Sequence, residues 1–355
     1  MKIAVDARML KMSGIGTYIQ NLMKNNCYQI ALGNEEELKA MNKIDEENII
    51  EFNSSIYGIK EQLKFPYKEL RKMKPDLLHV PHYNVPIFYR GKMVVTIHDL
   101  THMKLKEFLP NRFAYFYAKS MVWIAIKKSK MIFTDSENTK KDILHYFNVK
   151  PEKINVIYCG VGSEFAKKEE TIKYLYEKFN IPTDKKILLY VGNLKPHKNL
   201  EGLLKAFSLF EDKEKYRLLL VGKAFEKYNV LEDKEKELNI KDYVIHTGIV
   251  TQTELVDLYN LADLFVFPSL YEGFGLPVLE ALACGTKVAC SNASSLPEIG
   301  GDLVEYFNPY DFEDMKNKIE SALNKEFEKD KVDNWLKKFS WKKASEEYKK
   351  KIIEI

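Results

Sequence analysis

Short apolar runs alternate with helical patterns along nearly the whole chain. Such runs are typical of buried parallel strands. The pattern predicts strands at 3–6, 28–32, 49–52, 77–80, 93–97, 131–134 and 154–158, and again at 187–191, 217–221, 243–247, 264–267, 287–289 and 304–307. Strands that alternate with helices indicate an α/β fold built on doubly wound parallel sheets.

A glycine-bearing break at residues 159–166 separates the two series of strands and is typical of a linker. We therefore expect one Rossmann-like domain at 1–165, a second at 166–330, and a helical tail at 331–355 that runs as a helix from Trp335. Ligands of such sheets bind outside the carboxyl ends of the strands. Two domains of this kind predict a site in the cleft between them.

The segment 267–285 carries the most informative chemistry. Glu272 is expected on the loop after the strand at 264–267, and Glu280 one turn into the apolar helix that follows. Pro277 suits the first position of that helix and Gly285 suits its end. The start of a helix favours an anion. Carboxylates repel an anion, so carboxylates next to this site are expected to bind hydroxyl groups. A ligand with an anionic group between two sets of hydroxyls is a sugar nucleotide.

Composition narrows the class of protein. The chain has 355 residues, 45% of them hydrophobic, and a net charge of +4 that gives no indication of nucleic-acid binding. Its four cysteines show no C-x-x-C spacing, and the N-terminus starts with a strand rather than an apolar signal segment. We therefore expect reduced thiols and a cytoplasmic location.

Several further motifs accompany the two glutamates in a fixed order. They are Ser13-Gly-Ile-Gly-Thr-Tyr18, Thr96-Ile-His-Asp-Leu100, Tyr190-Val-Gly-Asn-Leu-Lys-Pro-His-Lys-Asn-Leu200, Gly273-Phe-Gly-Leu-Pro277 and Ser291-Asn-Ala-Ser-Ser-Leu-Pro-Glu-Ile299. With the E-x7-E spacing of Glu272 and Glu280, this set resembles the retaining, sugar-nucleotide-dependent enzymes of glycosyltransferase family 4, in particular the mannosyltransferase-like branch. The resemblance implies the GT-B architecture, in which two Rossmann-like domains face each other across a cleft.

The resemblance also implies roles at the donor. Glu280 would bind the ribose hydroxyls of the nucleotide, and Glu272 would contact the hydroxyls of the donor sugar near the reacting centre. The backbone around Phe274, Gly275 and Leu276 would meet the sugar and the phosphates. The competing interpretation of Glu280 is an exposed helix glutamate, but the residues around it are apolar, and a buried carboxylate needs a partner.

Lys198 matches the phosphate-binding lysine of the family. A solvated lysine is the competing interpretation, although a cation near a helix start opposes the helix dipole unless an anion binds there. Many relatives carry arginine directly after the strand-end glycine, where this chain has Asn193. The chain contains no Asp-x-Asp motif. We therefore expect no metal and no cofactor, with cations and backbone amides at the diphosphate.

Further site residues follow from the resemblance. His98 would lie on the acceptor side close to the donor's anomeric carbon, with Asp99 orienting its ring; a structural histidine is the alternative. Gly14 and Gly16, expected in a loop before a helix at Tyr18, would approach the diphosphate, although an ordinary turn is the alternative. Val250 would contact the base through its backbone.

Residues 104–130 hold seven basic residues, one acidic residue and six aromatic residues. One interpretation is a surface that faces a membrane-held acceptor. The other, favoured on pattern alone, is an ordinary helix that packs Phe113, Phe116, Tyr117, Val122 and Ile126 into the first domain.

Together with the missing Asp-x-Asp motif, the resemblance implies a metal-independent retaining transferase that moves mannose from GDP-mannose to a glycan or lipid-linked saccharide with an α-linkage, in surface polysaccharide synthesis. Contact with the inner face of the cell membrane is an open possibility. Alternatives are a UDP-sugar-dependent transferase of the same fold, a sugar-nucleotide epimerase or hydrolase, and a non-catalytic nucleotide-sugar-binding protein.

Overall fold

The computed structural model describes residues 1–56, 58–168, 172–222 and 228–355. The chain forms two compact units. The first contains Met1–Gly160 together with Phe339–Ile355, and the second contains Val161–Lys338. The divisions therefore fall a few residues from the boundaries expected from the sequence, which are 165/166 and 330/331.

The first unit is built on a parallel sheet that has seven strands over its described residues. Its strands are Ile3–Asp6 (β1), Ile30–Gly33 (β2), Ile49–Glu51 (β3), Leu77–Val80 (β4), Met93–Thr96 (β5), Met131–Thr134 (β6) and Ile154–Val156 (β7). Their order is β3-β2-β1-β4-β5-β6-β7. The helices of this unit are Ser13–Lys24 (α1), Glu35–Met41 (α2), Ile59–Lys64 (α3), Tyr67–Met73 (α4), Thr101–Lys104 (α5), Arg112–Lys128 (α6) and Glu137–Tyr146 (α7).

The second unit is built on a parallel sheet of six strands within the described residues. The strands are Lys186–Val191 (β8), Tyr216–Val221 (β9), Val244–Gly248 (β10), Leu264–Phe267 (β11), Lys287–Ser291 (β12) and Glu305–Phe307 (β13), in the order β10-β9-β8-β11-β12-β13. The helices are Lys173–Lys178 (α8), Leu200–Ser208 (α9), Tyr228–Glu237 (α10), Gln252–Leu261 (α11), Leu276–Ala283 (α12), Leu296–Gly300 (α13), Phe312–Asn324 (α14) and Lys329–Leu336 (α15).

The strands form because their side chains are buried on both faces of each sheet. In β8, Leu188 packs into the core on one face of the second sheet, while Leu189 packs into the core on the other face. Successive strand residues point to opposite faces, so a strand covered by helices on both sides needs a continuous apolar run. The predicted α/β fold of two doubly wound parallel sheets is confirmed, and every predicted strand overlaps an observed one.

The tail differs from the single helix expected from Trp335 onward. Helix α15 ends at Leu336, and a separate helix, Trp341–Ile353 (α16), belongs to the first unit. Tyr348 of α16 is fully buried and stacks on His79 with a ring-centroid distance of 5.1 Å. Gly160 packs against the start of α16. A Cβ atom at this position would lie 2.1 Å from the backbone nitrogen of Trp341, so glycine is required at position 160.

The packing of helix α6 differs in part from the packing expected for residues 104–130. Val122 and Ile126 are buried as expected, but Phe113 and Phe116 are 84% and 62% exposed. The inward face of α6 consists of small and aliphatic residues instead: Ala118, Met121, Val122, Ala125 and Ile126. No helix in the described part of the chain is long and apolar enough to cross a membrane.

Candidate functional site

The loop between β11 and α12 presents the E-x7-E segment at the carboxyl end of a fully buried strand. Gly275 caps α12 with φ +120°, a conformation that L side chains rarely adopt, so glycine is required there. Glu272 lies on the loop, and Glu280 is the fifth residue of α12. Pro277 occupies the second helical position rather than the first. Gly285, with φ +76°, follows the end of the helix as expected.

Lys198 and Glu272 are in direct contact. Lys198 Nζ lies 2.6 Å from Glu272 Oε1, and the two side chains are only 17% and 14% exposed. The same ammonium lies 5.3 Å from the centre of the Phe267 ring. A backbone hydrogen bond of 2.8 Å from Leu270 to His197 joins the two loops that carry the pair. The structure thus brings together a predicted phosphate cation and a predicted sugar-binding carboxylate.

Two serines hold the backbone of the Glu272 loop. The Glu272 amide donates to Ser294 Oγ over 2.8 Å. Ser295 Oγ lies within hydrogen-bond distance of the carbonyls of Glu272 and Phe274, at 3.0 and 2.6 Å. The segment 291–299, to which sequence reasoning gave no role, therefore fixes the geometry of the loop.

Glu280 is held by a tyrosine that sequence reasoning missed. Tyr259 of α11 is fully buried, and its hydroxyl donates to Glu280 Oε2 over 3.0 Å. Burial raises the pKa of Glu280 to about 7, and the nearby Glu164 carboxylate adds to the increase, whereas the hydrogen bond from Tyr259 opposes it. The neutral form of Glu280 therefore persists to a higher pH than that of an ordinary glutamate.

The remaining donor-side residues lie at the carboxyl ends of neighbouring strands. Asn193 follows β8, and its Oδ1 atom is buried and accepts no hydrogen bond from any residue that the structure describes. Val250 follows β10 and is half-buried. The backbone after β8 and the backbone after β9 pack closely together. A Cβ atom on Gly222 would lie only 1.8 Å from the Gly192 carbonyl oxygen, so only glycine fits there. A small pocket forms there, lined by Tyr190, Gly192, Leu194, Leu220, Val221, Gly222, His246 and Gly248.

The rest of the E-x7-E segment lies beside the Lys198–Glu272 pair. Phe274 is 6% exposed, Gly275 is buried and Leu276 is half-buried. Because β11, β8, β9 and β10 are consecutive in the sheet, the segments after them that carry Asn193, Lys198, Val250 and Glu272 start from one edge of it. Glu280 lies farther along, within α12. Parallel strands place their carboxyl ends together, which is why residues distant in sequence meet here.

His98 follows β5 in the first unit and contacts acceptor atoms on both ring nitrogens. Its Nδ1 atom lies 2.5 Å from Asp135 Oδ2, and its Nε2 atom lies 3.1 Å from the Pro81 carbonyl oxygen. Burial by itself lowers the pKa of His98, but the Asp135 carboxylate outweighs this effect, and the net pKa is raised. An imidazole that donates from both nitrogens is the protonated cation.

The residue that orients His98 is Asp135, not Asp99 as the sequence suggested. Asp99 Oδ1 instead accepts a hydrogen bond of 2.9 Å from the Thr101 amide at the start of α5. Asp135 directly follows β6, the neighbour of β5 in the sheet. Strand adjacency, which a single sequence does not reveal, brings this carboxylate to the histidine.

The glycine motif after β1 forms the first turn of α1, which begins at Ser13, rather than a loop before Tyr18. Gly16 is required by packing, since a Cβ atom there would lie 2.4 Å from the Leu10 carbonyl oxygen. A Cβ atom on Gly14 would meet nothing within 4 Å. Packing within the protein therefore explains Gly16 but not Gly14.

The contact of His98 with Asp135 generates a prediction. The variant Asp135→Asn should lower the pKa of His98, because the carboxylate that stabilises the imidazolium is lost. An NMR titration of the imidazole resonances measures this pKa directly. Asp99→Asn is the matched control and should lower it less, since Asp99 does not touch the ring. Equal pKa values in wild type and Asp135→Asn would contradict the assignment.

The raised pKa of Glu280 generates a second prediction. The folded state retains the Glu280 proton up to about pH 7, whereas the unfolded chain releases it near 4.5. This contribution to the free energy of unfolding is therefore complete below pH 4.5 and is lost as the pH rises to about 7. Glu280→Gln cannot ionise and should lack this loss.

Urea unfolding at pH 5 and pH 7.5 checks this expectation. Wild type should lose more unfolding free energy between the two pH values than Glu280→Gln does. Tyr259→Phe, which removes the hydrogen bond that opposes the pKa increase, should show the same loss extended to higher pH. Identical pH dependence in wild type and Glu280→Gln would be the contrary result.

Comparison with known proteins shows which family this chain resembles. Residues 171–338 match the glycosyl transferases group 1, and residues 50–165 match Glycosyltransferase Family 4. Serotype-specific mannosyltransferase WbdA of Escherichia coli is 35% identical over 70% of this chain, which spans only about 30% of that relative's length. O-antigen chain mannosyltransferase B of Escherichia coli is 30% identical over 78% of this chain and 74% of its own length.

Solved structures share the fold over the full length. HepE of Anabaena, crystallised with UDP, superposes with a TM-score of 0.79 at 16% identity and covers 100% of both chains. WaaG, a glycosyltransferase involved in lipopolysaccharide biosynthesis, gives a TM-score of 0.73 at 13% identity and covers 98% of this chain and 95% of its own. The two family matches and the relative aligned over most of its length agree with the motifs assembled along the sheet edges: the chain belongs to glycosyltransferase family 4, in its mannosyltransferase-like branch.

Proposed function

We propose that this protein is a retaining glycosyltransferase that moves mannose from GDP-mannose to a glycan or a lipid-linked saccharide and forms an α-linkage in surface polysaccharide synthesis. The observation that carries the proposal is the contact of Lys198 with Glu272 at the carboxyl ends of the adjacent strands β8 and β11. Mannose is favoured because WbdA and O-antigen chain mannosyltransferase B, which are 35% and 30% identical to this chain, are described as mannosyltransferases.

Lys198 supplies the positive charge at the leaving diphosphate. A preorganised cation in a largely water-excluded site stabilises the charge that develops as the sugar–phosphate bond breaks. The amino end of α12 adds a smaller contribution of about 0.3–1 kcal/mol. Glu272 orients Lys198 and binds hydroxyls of the donor sugar, and Glu280 binds ribose hydroxyls.

The proton of the acceptor hydroxyl passes to the leaving diphosphate in this proposal. The acceptor oxygen bonds to the anomeric carbon on the face from which the phosphate oxygen departs, and that phosphate oxygen takes the proton. His98 is not used as the base, because both of its ring nitrogens already donate hydrogen bonds. Its positive charge instead suits it to attract an anionic group.

We propose a metal-independent reaction in the cytoplasm. The sequence lacks an Asp-x-Asp motif, and Lys198 supplies a cation where such a motif would hold a metal. All four cysteines are buried and free of disulfide bonds in the structure, as suits a reducing compartment.

Incubation with GDP- and UDP-sugars, in the presence of EDTA and a panel of saccharide acceptors, tests the proposal. GDP-mannose should support transfer at an unchanged rate in EDTA, and NMR should show an α-linked product. Loss of turnover in EDTA would overturn the metal-independent mechanism, and a β-linked product would overturn retention. A product formed without an acceptor would indicate an epimerase or a hydrolase, and tight nucleotide binding without turnover would indicate a binding protein.

Lys198→Ala should lower kcat by about 10²–10³, because removing one preorganised charge or donor at a developing anion has an effect of this order. Lys195→Ala is the matched control, since Lys195 is exposed on the same loop, and it should retain nearly full activity. An unchanged kcat in Lys198→Ala would remove Lys198 from the diphosphate site.

A further inference from the structure

Ser294 has an uncommon backbone conformation for a serine. Its φ angle is +54°, in the left-handed region that L residues other than asparagine and aspartate rarely adopt. Glycine would adopt this conformation without strain. Backbone strain of this kind is concentrated at functional sites, and the group that distinguishes Ser294 from a glycine is its hydroxyl.

The Ser294 hydroxyl accepts a hydrogen bond, and its own proton has no partner among the residues that the structure describes. Its Oγ atom accepts from the Glu272 amide over 2.8 Å. The neighbouring Ser295 differs, because its hydroxyl donates to the carbonyl oxygens of Glu272 and Phe274. Ser295 is fully buried, whereas Ser294 is half-buried. The proton of Ser294 is therefore accessible to a ligand that binds beside Glu272.

The chemistry of this pair matches a sugar hydroxyl. An amide that donates to a hydroxyl oxygen polarises that hydroxyl and makes it a stronger donor. Ser294 thus offers a donor close to Glu272, whose carboxylate is an acceptor. A sugar hydroxyl can donate to a carboxylate and accept from a serine at the same time. The hydrogen bond from the Glu272 amide to Ser294 Oγ keeps the donor and the acceptor next to each other.

We propose that Ser294 is a donor-binding residue whose hydroxyl donates a hydrogen bond to a hydroxyl oxygen of the transferred sugar. The assignment rests on the proposed function, in which Glu272 binds hydroxyls of the same sugar. The β-phosphate is another oxygen acceptor of the donor, but Lys198 already supplies a charged hydrogen-bond donor for it beside Glu272. Ser294 therefore recognises the sugar rather than the nucleotide.

Calorimetric titration with GDP-mannose and with GDP tests the assignment, because the two ligands differ by the sugar. Ser294→Gly and Ser294→Ala both remove the hydroxyl. Each should weaken GDP-mannose binding by about threefold to tenfold, the usual effect of one lost hydrogen bond, and should retain the affinity for GDP. A loss seen in only one of the two variants would assign the effect to the backbone and overturn the proposal.

Two controls accompany these variants. Glycine suits the left-handed conformation, so Ser294→Gly should have a Tm no lower than that of the wild type, which a thermal melt checks. Ser208→Ala removes another half-buried serine hydroxyl, at the end of α9, and should change neither affinity.

The variant Glu272→Ala separates a direct contact from an effect through the Glu272 side chain. It removes the carboxylate but keeps the backbone amide that donates to Ser294. In this background, Ser294→Gly should still weaken GDP-mannose binding, because the contact of Ser294 with the sugar does not pass through the carboxylate. If Ser294→Gly has no further effect there, Ser294 acts only through Glu272 and the proposed contact is wrong.

The remaining outcomes distinguish this assignment from the proposed function. Equal losses of GDP and GDP-mannose affinity in Ser294→Gly would place the hydroxyl at the diphosphate, and unchanged affinity for both would exclude a contact with the donor; either result would overturn the proposal. A wild type that binds UDP-glucose and UDP but neither guanine nucleotide would overturn the proposed donor, and the same variants titrated with UDP-glucose and UDP would then test Ser294. A wild type that binds none of the four ligands would overturn both.

Discussion

The ion pair of Lys198 with Glu272 is the interaction on which the proposed chemistry depends. The two loops that carry it are joined by the backbone hydrogen bond from Leu270 to His197, and Asn199 donates to the carbonyls of Pro268 and Pro309 over 3.2 and 2.8 Å. Charges with so little exposure are costly to leave unpaired. The pair therefore fixes the position of the ammonium and limits how far it can move toward a diphosphate.

Each unit contains a titratable residue whose pKa is raised, and the physical reason differs between the two. Glu280 in the second unit is surrounded by apolar side chains, so burial favours its neutral form. His98 in the first unit contacts Asp135, so its charged form is favoured despite burial. A carboxylic acid that can be neutral near pH 7 reduces repulsion of a phosphate anion, while an imidazolium attracts one.

Much of the fold could be predicted from the sequence because parallel strands are buried on both faces. Runs such as 264–267 have no polar position, which makes them recognisable without any knowledge of their neighbours. The roles predicted for Lys198, Glu272 and Glu280 come from the family resemblance, and the structure brings the first two residues into contact. Asp135, Tyr259 and Ser294 could not be predicted, because their importance depends on which strands and loops are adjacent in space. The exposure of Phe113 was also missed, because aromatic residues occur around much of α6 and the pattern does not say which side faces the core.

The central claim is that Lys198 binds the β-phosphate of the donor, and calorimetric titration with GDP and GMP tests it most directly. The two nucleotides differ by one phosphate, so the ratio of their Kd values isolates contacts to it. We predict that wild type binds GDP more tightly than GMP and that this preference collapses in Lys198→Ala while GMP affinity changes little. A preference for GDP that is equally large in wild type and Lys198→Ala would contradict the account.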